Sequence, residues 1–226
     1  RTRSGNILIP AFSIGRSQEI MYQLGKHYEE WDLQRFQIFL DSPMAIEASK
    51  VYWENTHLYD EEASRLRTEN GGMPLLPNLK LSRHPEESMA INRIRSGVIV
   101  IAGSGMCNGG RIIHHLKHNL DREETQVLIT GYQANGSLGR RLVNGEKTVR
   151  IHGQTIPVNA TVHTVGGLSA HGDQDDLARW YECMENRPPV YLVHGETEAQ
   201  EAFRNYLHQR SRADVHLQKP GDFLEL

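Results

Sequence analysis

Short apolar runs alternate with amphipathic stretches along most of the chain. Asn6–Pro10 reads as a strand, Ser17 to about Glu30 as a helix, and Gln37–Leu40 as the next strand, ending at Asp41-Ser42-Pro43. Pro43 pre-sets the entry to a helix from Met44 to about Asn55. The polar stretch Tyr59–Gly72 reads as a helix closed by a Gly-Gly turn, Leu79–Ser82 as a short strand, and Pro85–Arg95 as a helix. Val98–Ala102 is the clearest buried strand. Gly110–His118 follows as a helix and Gln126–Thr130 as a strand. Repeated strand–helix alternation predicts a doubly wound α/β domain with a mainly parallel sheet, whose ligands bind at the carboxyl ends of the strands.

The pattern changes after about Leu142. Lys147–His152, Gln154–Val158 and Thr161–Val165 are short and β-branched, with Gly153 between the first two, and predict an antiparallel meander. Gly166–His171 reads as a loop and Asp173–Met184 as a helix capped by Asp173. Pro189–His194 is then a strand, Thr197–Gln209 a helix with Thr197 and Gln200 spaced as a capping box, and Val215–Leu217 a last strand. Two units are expected, 1–144 and 145–226, with the boundary near residues 142–147.

Composition narrows the function classes. The 226 residues suffice for one large or two modest domains, and 38% hydrophobic with 23% charged residues is ordinary for a globular chain. No apolar run approaches the ~20 residues of a membrane span, and no secretory signal is visible, so no membrane partner is expected. Cys107 and Cys183 stand alone without CxxC spacing, which excludes a cysteine-built zinc site and favours a reducing, cytoplasmic setting. With a formal net charge of −3, any nucleic-acid site must be a local patch. The chain opens on Arg1 and enters a core strand within six residues, which reads as a fragment.

Three loops after buried strands combine Gly and Ser with Arg: 10–19, 103–111 and 131–141. Small residues let backbone N–H groups approach an anion, and a helix N-terminus adds donors. Arg16, Arg111 and Arg140 could hold phosphate oxygens in a bidentate manner. Any one loop could be a plain tight turn, but three with Arg point to phosphate. The spacing is neither a Walker loop nor a dinucleotide fingerprint. Among twelve histidines, His171 precedes a helix in a Gly-rich loop, and His194 ends a strand before Gly195-Glu196. Both suit a cleft as metal ligand or acid/base, against the commoner structural role of a lone histidine. His163, His114 and His115 carry less, since one of the adjacent pair must point away from the other.

The ordered set Ile9–Arg16, Leu40–Ala45, Gly103–Met106 with Gly109–Arg111, Gly131–Gln133, Leu168–His171 and Leu192–Glu196 resembles the β-CASP branch of the metallo-β-lactamase superfamily. It is similar to bacterial and archaeal relatives of the endonuclease that cleaves messenger-RNA precursors. The resemblance implies a β-CASP RNA-clamping domain (1–144) followed by the carboxy-terminal part of a metallo-β-lactamase αββα core (145–226). It also implies hydrolysis of single-stranded RNA with two zinc ions in the complete enzyme. His171 would be the catalytic histidine and His194 a ligand to one zinc. Ser13, Arg16, Ser104, Gly105, Met106, Gly110, Arg111 and Arg140 would bind RNA phosphates.

The family's His-x-His-x-Asp-His signature is absent. Those ligands would precede Arg1, so this chain alone is expected to bind zinc weakly and to be inactive, with the amino-terminal half of the metallo-β-lactamase domain as a partner. A homodimer stays open. The rivals are a non-catalytic RNA-binding module or pseudo-enzyme subunit, and a hydrolase of DNA or a small phosphate ester.

Overall fold

The computed structural model describes residues 5–168, 171–219 and 221–223. Packing divides the chain into two compact units, 1–169 and 170–226.

The first unit is built on strands β1 (Ile7–Pro10), β2 (Gln37–Leu40), β3 (Leu79–Leu81), β4 (Val98–Ala102), β5 (Gln126–Ile129) and β8 (Thr161–Thr164), joined in the order β3-β2-β4-β1-β5-β8 with every pairing parallel. Helices α1 (Arg16–Lys26), α2 (Pro43–Glu54), α3 (Glu61–Glu69), α4 (Pro85–Ile91), α5 (Ile112–Asn119) and α6 (Leu138–Val143) follow the strands, and β6 (Thr148–Ile151) with β7 (Gln154–Pro157) forms a separate antiparallel hairpin.

The unbroken apolar run of β4 follows from its position, because a parallel strand covered on both faces has no solvent side. Its side chains divide between two cores. Val98, Val100 and Ala102 join Leu8 and Val127 under Ile112 and Leu116 of α5 and Leu142 of α6. Ile99 and Ile101 join Ile9, Ile38 and Leu40 against Ile20 and Met21 of α1 and Ala45 and Ile46 of α2. The sheet is thus wound on both faces, as the alternation predicts.

Three local expectations differ from the structure. β8 does not complete a meander but pairs parallel with β5. The Leu120 carbonyl accepts from the backbone N–H groups of Asn159 (2.8 Å) and Ala160 (3.0 Å), which brings the chain to the end where β5 starts. α6 starts within the stretch 131–141 that reads as a loop. Ser137 caps it by accepting from Arg140 N at 3.1 Å, while Gly136 and Gly139 disguise it in the sequence. Helix α8 (Thr197–Ser211) has Glu196 at the N-cap position, so Thr197 is its first helical residue and not its cap.

The second unit contains α7 (Gln174–Glu182), β9 (Val190–Leu192), α8 and β10 (Val215–Leu217), with β9 and β10 parallel. Asp173 caps α7 as expected, accepting from Asp176 N at 2.9 Å. Ala178, Tyr181, Leu207 and Ala213 form its small core.

Candidate functional site

The strand order creates one switch point. From β1 the chain passes over β4 toward one edge, and from β4 it passes over β1 toward the other. Helices α1 and α5 therefore leave on opposite faces, and a crevice opens between the carboxyl ends of β1 and β4, where open parallel sheets bind ligands. A depression of about 400 Å³ lies there. Ser13 contributes from the loop after β1, Asp41 and Ser42 from the loop after β2, Pro43 and Met44 from the start of α2, and Gly103, Ser104, Gly110 and Arg111 from the loop after β4.

Local chemistry holds these loops. Ser42 caps α2, its hydroxyl accepting from Ala45 N at 3.3 Å and meeting the Ser13 hydroxyl at 3.1 Å. The buried Gln18 amide donates to the Ser13 carbonyl (3.1 Å), the Ala45 carbonyl (3.2 Å) and the Ser49 hydroxyl (2.9 Å), tying α1 to α2 beneath the pocket. Gly110 has φ +68°, and a Cβ there would lie 2.3 Å from the Gly103 carbonyl oxygen. Only glycine lets the loop double back so closely. The Gln133 amide donates to the Gly105 carbonyl at 2.9 Å, and Gly139 N donates to the Met106 carbonyl at 3.1 Å, so the loops after β4 and β5 are clamped together. The Ser104 hydroxyl is buried with no hydrogen-bond partner among the described residues, leaving a donor in the pocket lining unmatched.

Charge in the crevice is organised by Asp41. Its side chain is fully buried, and Oδ1 accepts from Arg111 Nη1 at 2.7 Å. Oδ2 accepts from the Ser88 hydroxyl and from His115 Nε2, each at 2.6 Å. Burial pushes the carboxyl pKa up, but the hydrogen bonds from His115, Ser88 and Arg111 outweigh it and hold it at about 2. Arg111 also donates to the carbonyls of Ser82 (3.0 Å) and Arg83 (2.8 Å). Three of the five guanidinium N–H groups are thus used internally, and the other two have no partner among the described residues.

The structure gathers Ser13, Ser104, Gly110 and Arg111 around one pocket. Gly105 and Met106 belong to the same loop and serve it through their backbone carbonyls. Arg16 and Arg140 are not in the pocket lining. An Nη1 of Arg16 donates to the Leu168 carbonyl, and the Arg140 guanidinium lies 5.3 Å from the centre of the Tyr132 ring. His171 lies exposed before α7, and His194 lies exposed after β9 with φ +62°. Both belong to the second unit. Ser169 and Ala170 of the Leu168–His171 motif fall outside the described residues, as does Arg1.

The sequence pattern does not single out Asp41 and His115 as site residues. The available signal was the stripe Ile112, His115, Leu116 and Asn119 on α5, a buried face carrying a histidine that must find a partner. His114 points to the surface, where its ring stands 4.9 Å from that of His152.

A zinc site needs three or four convergent ligands. Among the described residues, no group of three or more His, Cys, Asp or Glu side chains is arranged to hold a metal ion, so His194 does not lie in a ligand set these residues complete.

Comparison with known proteins gives two family matches. The Beta-Casp domain covers residues 17–142, and the Zn-dependent metallo-hydrolase RNA specificity domain covers residues 155–218. The chain is 41% identical over 198 residues to ribonuclease TTHA0252 of Thermus thermophilus, covering 87% of this chain and 44% of that protein. It is 31% identical over 201 residues to transcription termination factor FttA of Methanocaldococcus jannaschii (86% of this chain, 31% of that protein). It is 30% identical over 196 residues to an RNase J-like protein of the same organism (85% and 43%). The chain thus spans less than half the length of each of these relatives.

Proposed function

The chain belongs to the Beta-Casp family of RNA-processing metallo-hydrolases, and from that premise we propose that it is part of a zinc-dependent ribonuclease acting on single-stranded RNA. The observation that carries this reading is the crevice at the switch point. It combines serine hydroxyls, two remaining Arg111 donors and the N-terminus of the twelve-residue helix α2, all suited to a phosphate. Ser13, Ser104, Gly110 and Arg111 would seat one phosphate of the RNA, with Gly105 and Met106 shaping the loop. Arg16 and Arg140 would meet flanking phosphates.

In this reading residues 1–144 clamp RNA and residues 145–226 belong to the hydrolase core. His171 would give its proton to the departing oxygen, and His194 would be one zinc ligand. Zinc dependence rests on the description of the matched family, and the described residues do not make up a zinc site alone. The chain by itself is therefore proposed to bind RNA without cutting it, in a cytoplasmic setting.

Incubating the purified chain with end-labelled single-stranded RNA, with and without added zinc, tests this. Retention of intact RNA is expected. Zinc-stimulated cleavage would overturn the inactivity of the chain, and failure to bind RNA would overturn the clamping role.

A further inference from the structure

An aromatic ring stands beside the crevice in a form built to stay there. Phe12 is 49% exposed, although its neighbour Ala11 is fully buried and its other neighbour, Ser13, lines the pocket. Its main chain is fixed, because the Phe12 carbonyl accepts from both the Ser17 hydroxyl (2.7 Å) and Ser17 N (3.1 Å). One side of the ring rests on the loop after β4. A Cβ on Gly105 would lie 2.8 Å from Phe12 Cδ2 and 2.9 Å from Cε2. Glycine at 105 is therefore what lets the ring lie against the loop, and the loop in turn supports the ring from behind.

A half-exposed phenylalanine forgoes part of the stabilisation that full burial would contribute. Here its main chain is tied down and one side of its ring is backed by Gly105, which suits an aromatic platform that loses little entropy when a flat ligand settles on it. Phe12 precedes Ser13 in the chain and its ring touches Gly105, which follows Ser104, so the ring borders two residues of the pocket wall. The two chemistries side by side, hydroxyl and guanidinium donors and an aromatic surface, match the two ends of that ligand: phosphate and base.

We propose that Phe12 is a nucleobase-stacking residue, receiving the unpaired base of the nucleotide whose phosphate sits among Ser13, Ser104 and Arg111. The inference rests on the single-stranded RNA reading above and adds to it a base-dependent, sequence-tolerant contact. Every base has a flat face, so purines and pyrimidines are both accepted, while a base held in a duplex is not.

Equilibrium binding of a short single-stranded RNA and of a series with one abasic site moved along it tests the proposal. In the wild-type chain, one abasic position lowers affinity about 5- to 100-fold, the range of one base–aromatic stack. Phe12→Ala and Phe12→Leu lose a similar factor on intact RNA and become indifferent to that abasic site, while Phe12→Trp keeps both affinity and sensitivity. Abasic sites without effect at any position in the wild-type chain overturn the proposal. So does equal loss on intact and abasic RNA in Phe12→Leu. Wild-type chain that binds no RNA overturns the RNA reading as well, whereas tight binding unaffected by Phe12→Ala overturns the stacking role alone.

Discussion

The Asp41 carboxylate and the His115 imidazole meet at 2.6 Å with both side chains closed to solvent. Arg111, one helical turn before His115 on the same face of the helix, takes the other carboxylate oxygen at 2.7 Å. A single carboxylate at the end of β2 therefore holds two successive turns of the segment that opens into α5. This fixes the wall of the crevice that carries Arg111. The far side of the His115 ring meets Asn92 Oδ1 at 2.7 Å, so both ring nitrogens have a partner.

Removing one member of this network leaves another charged or polar group buried without its partner. Asp41→Ala is expected to cost about 3–5 kcal/mol in chemical denaturation, the usual effect of breaking a buried ion pair. Asp41→Ala combined with His115→Leu should cost less than the sum of the two single changes by about 1–3 kcal/mol. Strict additivity would show that the two residues act independently.

The same carboxylate gives the chain an acid-sensitive step. Its pKa in the folded state, about 2, lies below the ordinary 3.8. Its stabilising contribution is therefore complete above about pH 4 and is lost as pH falls toward 2. Denaturation at pH 5 and at pH 2.5 should show the wild-type chain losing up to about 2 kcal/mol more than Asp41→Asn across that interval. Parallel acid slopes for the two proteins would contradict the assignment.

Two adjacent glycines in the loop after β4 make a matched pair. A Cβ on Gly110 meets the Gly103 carbonyl oxygen at 2.3 Å under a left-handed backbone, whereas a Cβ on Gly109 meets nothing within 4 Å. Gly110→Ala should therefore destabilise the chain by about 1–3 kcal/mol. Gly109→Ala should stay within about 0.5 kcal/mol of wild type, as an unobstructed substitution does. Similar melting temperatures for the two variants would show that the loop does not need its present backbone.

The two thiols should differ in reactivity. Cys107 is fully buried and burial pushes its pKa to about 12, while Cys183 is exposed. Because the thiolate is the attacking form, a colourimetric disulfide reagent should label Cys183 in the native chain and reach Cys107 only on unfolding. Native labelling of both would mean that the core around Cys107 opens readily.

Much of this architecture can be read from the residues. The continuous apolar run at Val98–Ala102 announces a strand covered on both faces, and the short strands around it set the parallel sheet. The three Arg-bearing loops all follow parallel strands of one sheet and so share an edge. What hides is what depends on distant partners. Helix α6 is short, with a serine cap and three apolar residues to show against Gly136 and Gly139, and Gly139 is there because Gln133 packs where a side chain would go. The direction of β8 depends on the Leu120 carbonyl, far away in the chain. His115 looks like the weaker half of a His-His pair until Asp41, 74 residues earlier, is brought against it.

The central claim, that the loops at the carboxyl edge of the sheet hold single-stranded RNA through its phosphates, is tested most directly by salt. The affinity of the wild-type chain for a single-stranded RNA oligonucleotide should be measured across a salt series, beside Arg16→Gln/Arg140→Gln. Each lost phosphate contact lowers the slope of log affinity against log salt by about 0.7 for single strands, so the double variant should be shallower by about 1.4. A slope unchanged by the two substitutions, or a wild-type affinity indifferent to salt, would contradict it.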